Sequence, residues 1–423
     1  MATAIRMRGM VGALGSVAAG SMAANLAAYV VYVGAGRWLA PGDYGQFARL
    51  LSAMLVLGVP ALALQSVIAR EVVRGRGSGL GRVTATTVTA VVVLALVAVP
   101  VVVAVARTGA AATSAALAAA PLLVVIAAGQ GVLQGLGEFR ALAWVLGAVG
   151  IARSVPMLVA FALGVGPTWG LSVGTLGTAV AAVVVWAAVG VVRRADTGRG
   201  RSGRRLPGGS GADPDTTTGL SAAGVLRASQ VQLVLIVAVS IDLLLSGTVL
   251  RPDDAGVYAL GAVATKAAFW LPQAIGVVFY PRLADPARSR TALRQAATVV
   301  ASIGAILTVA AAALGPLVPL VVGDAYHPLV GLLWLFAYTG SAMAVLQVLL
   351  LSAIAADRTR ASAVTWLVVG IEVVVIVCVV DSVVALAVTA AVAVTAAAAA
   401  TGIDCMRAMS RTPMEADEVR RPA

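Results

Sequence analysis

Several apolar runs, among them Val83 to Ala106 and Ala297 to Gly323, carry no charged residue and are long enough to cross a lipid bilayer. A crossing helix needs about 20 residues. Because a backbone in hydrocarbon must satisfy its own hydrogen bonds, such a run crosses as a helix or as part of a closed barrel. Barrel strands alternate apolar and polar side chains over about 10 positions, whereas these runs are apolar throughout. The composition agrees, with 60% hydrophobic and 11% charged residues where soluble domains carry about 25% charged. The chain therefore reads as an all-α polytopic membrane protein.

Hydropathy predicts about twelve transmembrane helices, at 11–34, 47–69, 83–106, 112–133, 141–163, 169–192, 222–248, 256–280, 297–323, 328–355, 361–380 and 383–404. Arg6 and Arg8 before the first run resemble a signal peptide, but the run from Val11 to Gly34 exceeds the 7–15 apolar residues of a signal core, so an uncleaved helix is expected. An even number of crossings puts both termini on one side. Of the 30 basic residues, 24 then fall in the termini and loops of that side, while Arg37, Arg107 and Arg251 fall opposite. Since cytoplasmic loops carry the Lys and Arg excess, both termini are expected in the cytoplasm and the protein in the cytoplasmic membrane. The net charge of +12 is explained by this bias. It forms no continuous basic face, so nucleic acid is not an expected partner. Cys378, Cys405 and the single His327 suggest neither a disulfide framework nor a metal cluster.

Residues 193–220 are rich in Gly, Arg, Ser, Asp and Thr and read as a cytoplasmic flexible linker. It separates an N-terminal six-helix lobe at 1–192 from a C-terminal lobe at 221–410, with a polar, disordered tail at 411–423. A repeat supports that division. Leu39-Ala-Pro-Gly-Asp-Tyr-Gly-Gln-Phe-Ala48 matches Leu250-Arg-Pro-Asp-Asp-Ala-Gly-Val-Tyr-Ala259, and the copies stand 211 residues apart. One residue of slippage later, Pro60 corresponds to Pro272 and Arg70 to Arg282. Each copy enters an even-numbered helix, so the halves are parallel repeats related by an axis along the membrane normal, with a cavity expected between them. Within the motif, Pro ends one helix, Asp43 or Asp254 starts the next, and Gly permits the turn.

With these stretches, the QGLGEFR at Gln134–Arg140, the IDLLLSGTVLRPDDAGVYALGAVATK at Ile241–Lys266 and the FYPRLAD at Phe279–Asp285, the chain resembles the polysaccharide-exporter branch of the MATE-like flippases in the multidrug/oligosaccharidyl-lipid/polysaccharide (MOP) superfamily. The resemblance implies movement of undecaprenyl-diphosphate-linked oligosaccharides from the inner to the outer leaflet by alternating access. It also implies membrane lipids and glycan polymerases or glycosyltransferases as partners. No cofactor is expected, and coupling to H+ or Na+ is left open.

Ionisable residues inside a membrane helix cost about 2.5–3.5 kcal/mol each on insertion scales and are functional candidates. Asp242 and Lys266 flank the second repeat copy. At about 1.5 Å per residue their depths differ by roughly 6 Å, within reach of a lysine stem, so a salt bridge is feasible, either structural or coupled to substrate or protons. Arg153, near the middle of the fifth helix, suits a diphosphate or an internal pair with Glu372. Arg49 is expected to snorkel to headgroups or to meet substrate. Arg70 and Arg282 suit an anionic lipid head or ordinary anchoring. Gln130 and Gln134 share a helix face and suit sugar hydroxyls or interhelical bonds. Trp270, Tyr280, Trp334 and Tyr338 suit a sugar path or the interfacial belt. The substrate-binding candidates are thus Arg153, Lys266, Arg49, Gln130, Gln134, Arg70 and Arg282, and the coupling candidates Asp242 and Glu372.

No P-loop, HExxH motif or Cys/His ligand spacing is present, which disfavours an ATP-driven pump or metalloenzyme. A multidrug antiporter of the same fold is the main alternative, and a membrane enzyme of polysaccharide assembly a weaker one. Cationic drugs favour acidic cavities, and the embedded charge here is mostly basic.

Overall fold

Proline and glycine punctuate the chain into helices. A computed structural model describes residues 2–75, 79–198, 232–271, 289–355 and 360–418. Pro41 opens α2 (Pro41–Leu57) and Pro167 opens α8 (Pro167–Gly198), where the missing N–H costs no intrahelical bond. The second crossing is broken at Gly58, and Pro60 lies in the first turn of α3 (Val59–Val73), because proline removes a hydrogen bond and clashes with the preceding turn. The fourth crossing is likewise divided into α5 (Ala110–Leu117) and α6 (Ala119–Gly135). Pro100 and Pro156 lie inside α4 (Leu80–Ala106) and α7 (Phe139–Ala162). The chain leaves α6 and α7 through Gly137 and Gly164, at φ of 74° and 75°, a left-handed conformation that glycine adopts without steric cost.

The remaining elements are α1 (Ala2–Trp38), α9 (Ile241–Val249), α10 (Pro252–Trp270), α11 (Ser289–Leu314), α12 (Val318–Val322), α13 (Leu333–Ala355), α14 (Arg360–Val379) and α15 (Val383–Glu418), with 3-10 turns at Gly315–Leu317 and Asp324–Leu329. Among the described residues, ten helical segments are long and apolar enough to cross a membrane. α10 and α14 occupy the eighth and eleventh positions of the twelve expected. α10 misses the purely apolar pattern because it carries Asp253, Asp254 and Lys266. α15 is helical to Glu418 and so runs into the stretch 411–423 expected as a tail. Residues 199–231, most of the expected linker, lie outside the described residues.

The chain forms two compact units. The first comprises residues 1–34, 57–103 and 109–229, and the second 35–56, 104–108 and 230–423. In the first, α7 packs on α8, and α6 packs on both α3 and α8. Small residues allow these approaches: a Cβ at Gly150 would lie 2.5 Å from Ala24 Cα, and one at Gly131 2.6 Å from the Gln65 carbonyl. Lipid offers apolar side chains no hydrophobic drive to associate, so close packing of this kind holds membrane helices together. In the second unit α13 is central, packing on α10, α11 and α15, while α14 packs on α9 and α15.

The second unit thus takes the first repeat copy from the N-terminal half. The two copies pack on each other there. A Cβ at Gly45 would lie 3.0 Å from Gly256 N and 3.1 Å from its Cα, and one at Gly42 3.3 Å from Pro252 Cβ. A Cβ at Gly256 would collide with the Pro41 carbonyl. Residues matched in sequence are therefore neighbours in space, with backbones touching at the paired glycines.

Candidate functional site

The polar groups of the second unit are organised by the start of α9. Asp242 lies in its first turn, where a carboxylate meets the positive end of the helix dipole. Its Oδ1 accepts from the Leu243 N–H at 2.7 Å, and its Oδ2 accepts a short hydrogen bond from the Tyr258 hydroxyl of α10. The Tyr258 ring rests edge-on against Phe336 of α13, with centroids 5.2 Å apart. Asp242 and Glu372 of α14 are each 6% exposed and line one narrow cavity together with Thr265, Thr339, Thr365 and Met343. Its free volume is about 10 Å³, room for about one water-sized occupant.

Lys266 lies next to this site. Its ammonium donates to the Ser52 hydroxyl of α2 at 2.6 Å, and Ser52 in turn donates to the Ala48 carbonyl at 3.0 Å. The lysine charge attracts Asp242 through space, but the hydrogen bonds just named run to Ser52 on one side and to Tyr258 and Leu243 on the other. Depth along the helix was legible in the sequence, whereas direction around it was not.

Arg49 departs from the expected snorkelling. It is 4% exposed, and its Nε and Nη1 have no acceptor. Glycines leave room for it: a Cβ at Gly45 would lie 3.1 Å from Nη1, and one at Gly247 3.0 Å from Nε. Snorkelling would have needed an open flank, and Gly247 of α9 and Gly45 of α2 close it.

The first unit holds other candidates. Arg153 of α7 is half-buried, while Glu372 belongs to the second unit. Gln130 is buried. Gln134 is exposed and accepts from Gln65 Nε2 of α3 at 3.2 Å, an interhelical bond. Arg70 is exposed at the last turn of α3. Arg282 and Tyr280 lie outside the described residues. Trp334 and Tyr338 are exposed, as residues of an interfacial belt are. Asp43 and Asp254 occupy the first turns of α2 and α10, and Asp254 Oδ2 accepts from Arg251 Nε at 2.9 Å. Among the described residues, no three metal-ligating side chains stand together.

Tyr258, Ser52, Gln65 and Thr365 are site residues that sequence reasoning missed. For Tyr258 the signal was present, because it is the aromatic position of the repeat. The other copy has Phe47 there, and Val31 is the counterpart of Asp242 at the same 211-residue spacing. The residues at these two places are apolar in the first half and a bonded phenol and carboxylate in the second. Arg49 likewise corresponds to Leu260, so each half has its own polar specialisation.

No family model matches the chain, and no curated protein matches it in sequence. Solved structures do. The chain is similar to the inward-facing conformation of a multidrug resistance MATE family transporter of the MOP superfamily, at 12% identity and TM-score 0.66, covering 90% of this chain and 94% of that one. It is similar to the bent form of a Vibrio cholerae MATE transporter at 12% identity and TM-score 0.57, covering 94% and 96%. It is also similar to a MOP superfamily transporter from Pyrococcus furiosus, at 12% identity and TM-score 0.56, covering 94% and 95%; reversed polarity of that protein's binding pocket suggests a different function for it. The chain is an all-α polytopic membrane protein with the fold of the MATE transporters of the MOP superfamily.

Proposed function

We propose that the chain is a flippase that carries a lipid-linked oligosaccharide or polysaccharide precursor from the inner to the outer leaflet of the cytoplasmic membrane by alternating access. The observation that carries this reading is how the embedded charge is divided. Among the described residues, the buried acids Asp242 and Glu372 line a cavity with room for a water or a small ion. The cations Arg49, Arg153 and Lys266 lie within helices apart from that cavity's lining. A path with basic groups and sequestered acids suits an anionic cargo such as a lipid diphosphate, which guanidinium groups bind well. In this reading Arg153 and Lys266 neutralise the head group, Gln130 and Gln134 contribute to the sugar path, and Arg70 and Arg282 receive the head from the inner leaflet.

Two carboxylates lining one small apolar cavity call for a counter-charge. Asp242 and Glu372, with Tyr258 donating to the former, form the coupling site for H+ or Na+. A glycan polymerase and glycosyltransferases are the partners such a cargo requires.

Reconstituted vesicles loaded with fluorescent undecaprenyl-diphosphate oligosaccharide provide the test. Protein-dependent appearance of the probe in the outer leaflet is expected, with loss of at least about tenfold in Arg153→Ala plus Lys266→Ala. Unchanged transport in that variant would remove these residues from the path. A second reading, multidrug antiport, is favoured by the description of the inward-facing neighbour as a multidrug resistance transporter. Extrusion of a cationic dye without movement of the glycan lipid would support it instead.

A further inference from the structure

Arg49 has a placement that the cargo path just described does not account for. It is the most enclosed of the embedded cations: 4% exposed, with Nε and Nη1 both lacking an acceptor. Leaving charged N–H groups desolvated and unbonded is strongly unfavourable. A buried group left unsatisfied calls for an explanation, and an anion admitted in another state of the molecule is one. The slot that holds it is made by glycines. A Cβ at Gly45, one turn before it on α2, would lie 3.1 Å from Nη1, and one at Gly247 on α9 would lie 3.0 Å from Nε and 2.5 Å from the Ala106 carbonyl. Gly45 is also the residue at which the two repeat copies cross, its added Cβ 3.0 Å from Gly256 N. The lid over Arg49 and the contact between the copies thus share one residue.

We propose that Arg49 is a phosphate-oxyanion site occluded by the crossing of the two repeat copies, and that parting of α2 from α10 opens it to an anion. The ligand chemistry is the diphosphate group, offered by a lipid headgroup or by free pyrophosphate. The inference rests on the flippase reading for the identity of the lipid but not for the existence of the site. In copy two the corresponding position is Leu260, so the site occurs once. A guanidinium presents paired donors in a plane and suits two oxygens of one phosphate.

The test uses the full chain in lipid nanodiscs with Cys378→Ser and Cys405→Ala, carrying Gly42→Cys and Pro252→Cys. A Cβ at Gly42 lies 3.3 Å from Pro252 Cβ, near the separation a disulfide spans. Oxidation should form the cross-link, and its failure would overturn the crossing. Binding of undecaprenyl diphosphate and of inorganic pyrophosphate is then measured on oxidised and reduced protein. Reduced protein should bind at least one of them at least about tenfold more tightly than oxidised protein. Arg49→Gln should lose that difference, with Arg49→Lys recovering part of it. Binding of the lipid alone identifies a headgroup site, and competition by pyrophosphate a general diphosphate site. Equal affinity in oxidised and reduced protein, or in the parent and Arg49→Gln, overturns the proposal. Because binding is read without transport, a failed flip assay beside Arg49-dependent binding would reject the flippase and keep the site. Intact flipping with Arg49-independent binding would do the reverse.

Discussion

The repeat supplies a control for the Asp242 site at the scale of single residues. Val31 and Phe47 occupy in the first half the places of Asp242 and Tyr258 in the second, and both are buried. Tyr258→Phe removes the donor to a buried carboxylate and is expected to cost about 1–3 kcal/mol, seen as a lower midpoint in thermal unfolding of purified protein. Adding Asp242→Val restores the apolar residue types found at the matching places of the first half. The double variant should regain most of that stability while losing any dependence of transport on a Na+ or pH gradient. A double variant as unstable as the single one would show that the pair is held by more than its mutual bond. The sequence revealed Asp242, Lys266 and Glu372 as embedded charges but not which of them meet. Rise per residue gives depth, whereas the approach of Lys266 to Ser52 and of Asp242 to Tyr258 depends on helix rotation and on chain segments more than 200 positions away for Ser52.

Among the helices, the glycines divide into those that admit a neighbouring backbone and those that do not. Gly256 of α10 lies against the Pro41 carbonyl, while Gly147 of α7 has nothing within 4 Å of an added Cβ. Gly256→Ala is expected to push α10 from α2, lowering the thermal midpoint and raising the reactivity of a cysteine placed at residue 42. Gly147→Ala should be neutral or stabilising by up to about 1 kcal/mol, through helix propensity alone. Equal effects of the two substitutions would argue against backbone contact at the crossing. The helices themselves were largely legible, since uncharged runs of sufficient length have few alternatives in lipid. The break at Gly58 divides the single helix expected at 47–69 and was not read from the sequence; nor was the burial of Arg49. That depends on Gly45 and Gly247 arriving from separate elements to close one slot.

For the whole molecule, sidedness is the expectation most open to direct measurement. The bias of basic residues leads to the expectation that both termini and residues 199–205 face the cytoplasm and Gly109 the outside. In a background of Cys378→Ser and Cys405→Ala, a cysteine at 109 should react with a membrane-impermeant maleimide in intact cells. One at residue 203 should react only after permeabilisation, and the opposite pattern would invert the topology. The repeat, whose two copies agree at six of ten positions, leads to the expectation of parallel halves, yet the composition of the units was not legible in it. Residues 35–56 belong to the second unit although they come from the first half, because the repeat copies pack on each other rather than each within its own half. That exchange has a consequence for biogenesis. Residues 35–56 enter the membrane early in synthesis, but their packing partners, beginning at residue 230, emerge about 200 residues later, at the usual 5–20 residues per second. The first copy must wait at least about ten seconds in lipid with its small-residue face uncovered, and closing so distant a contact makes the joining of Gly45 to Gly256 a late step of folding.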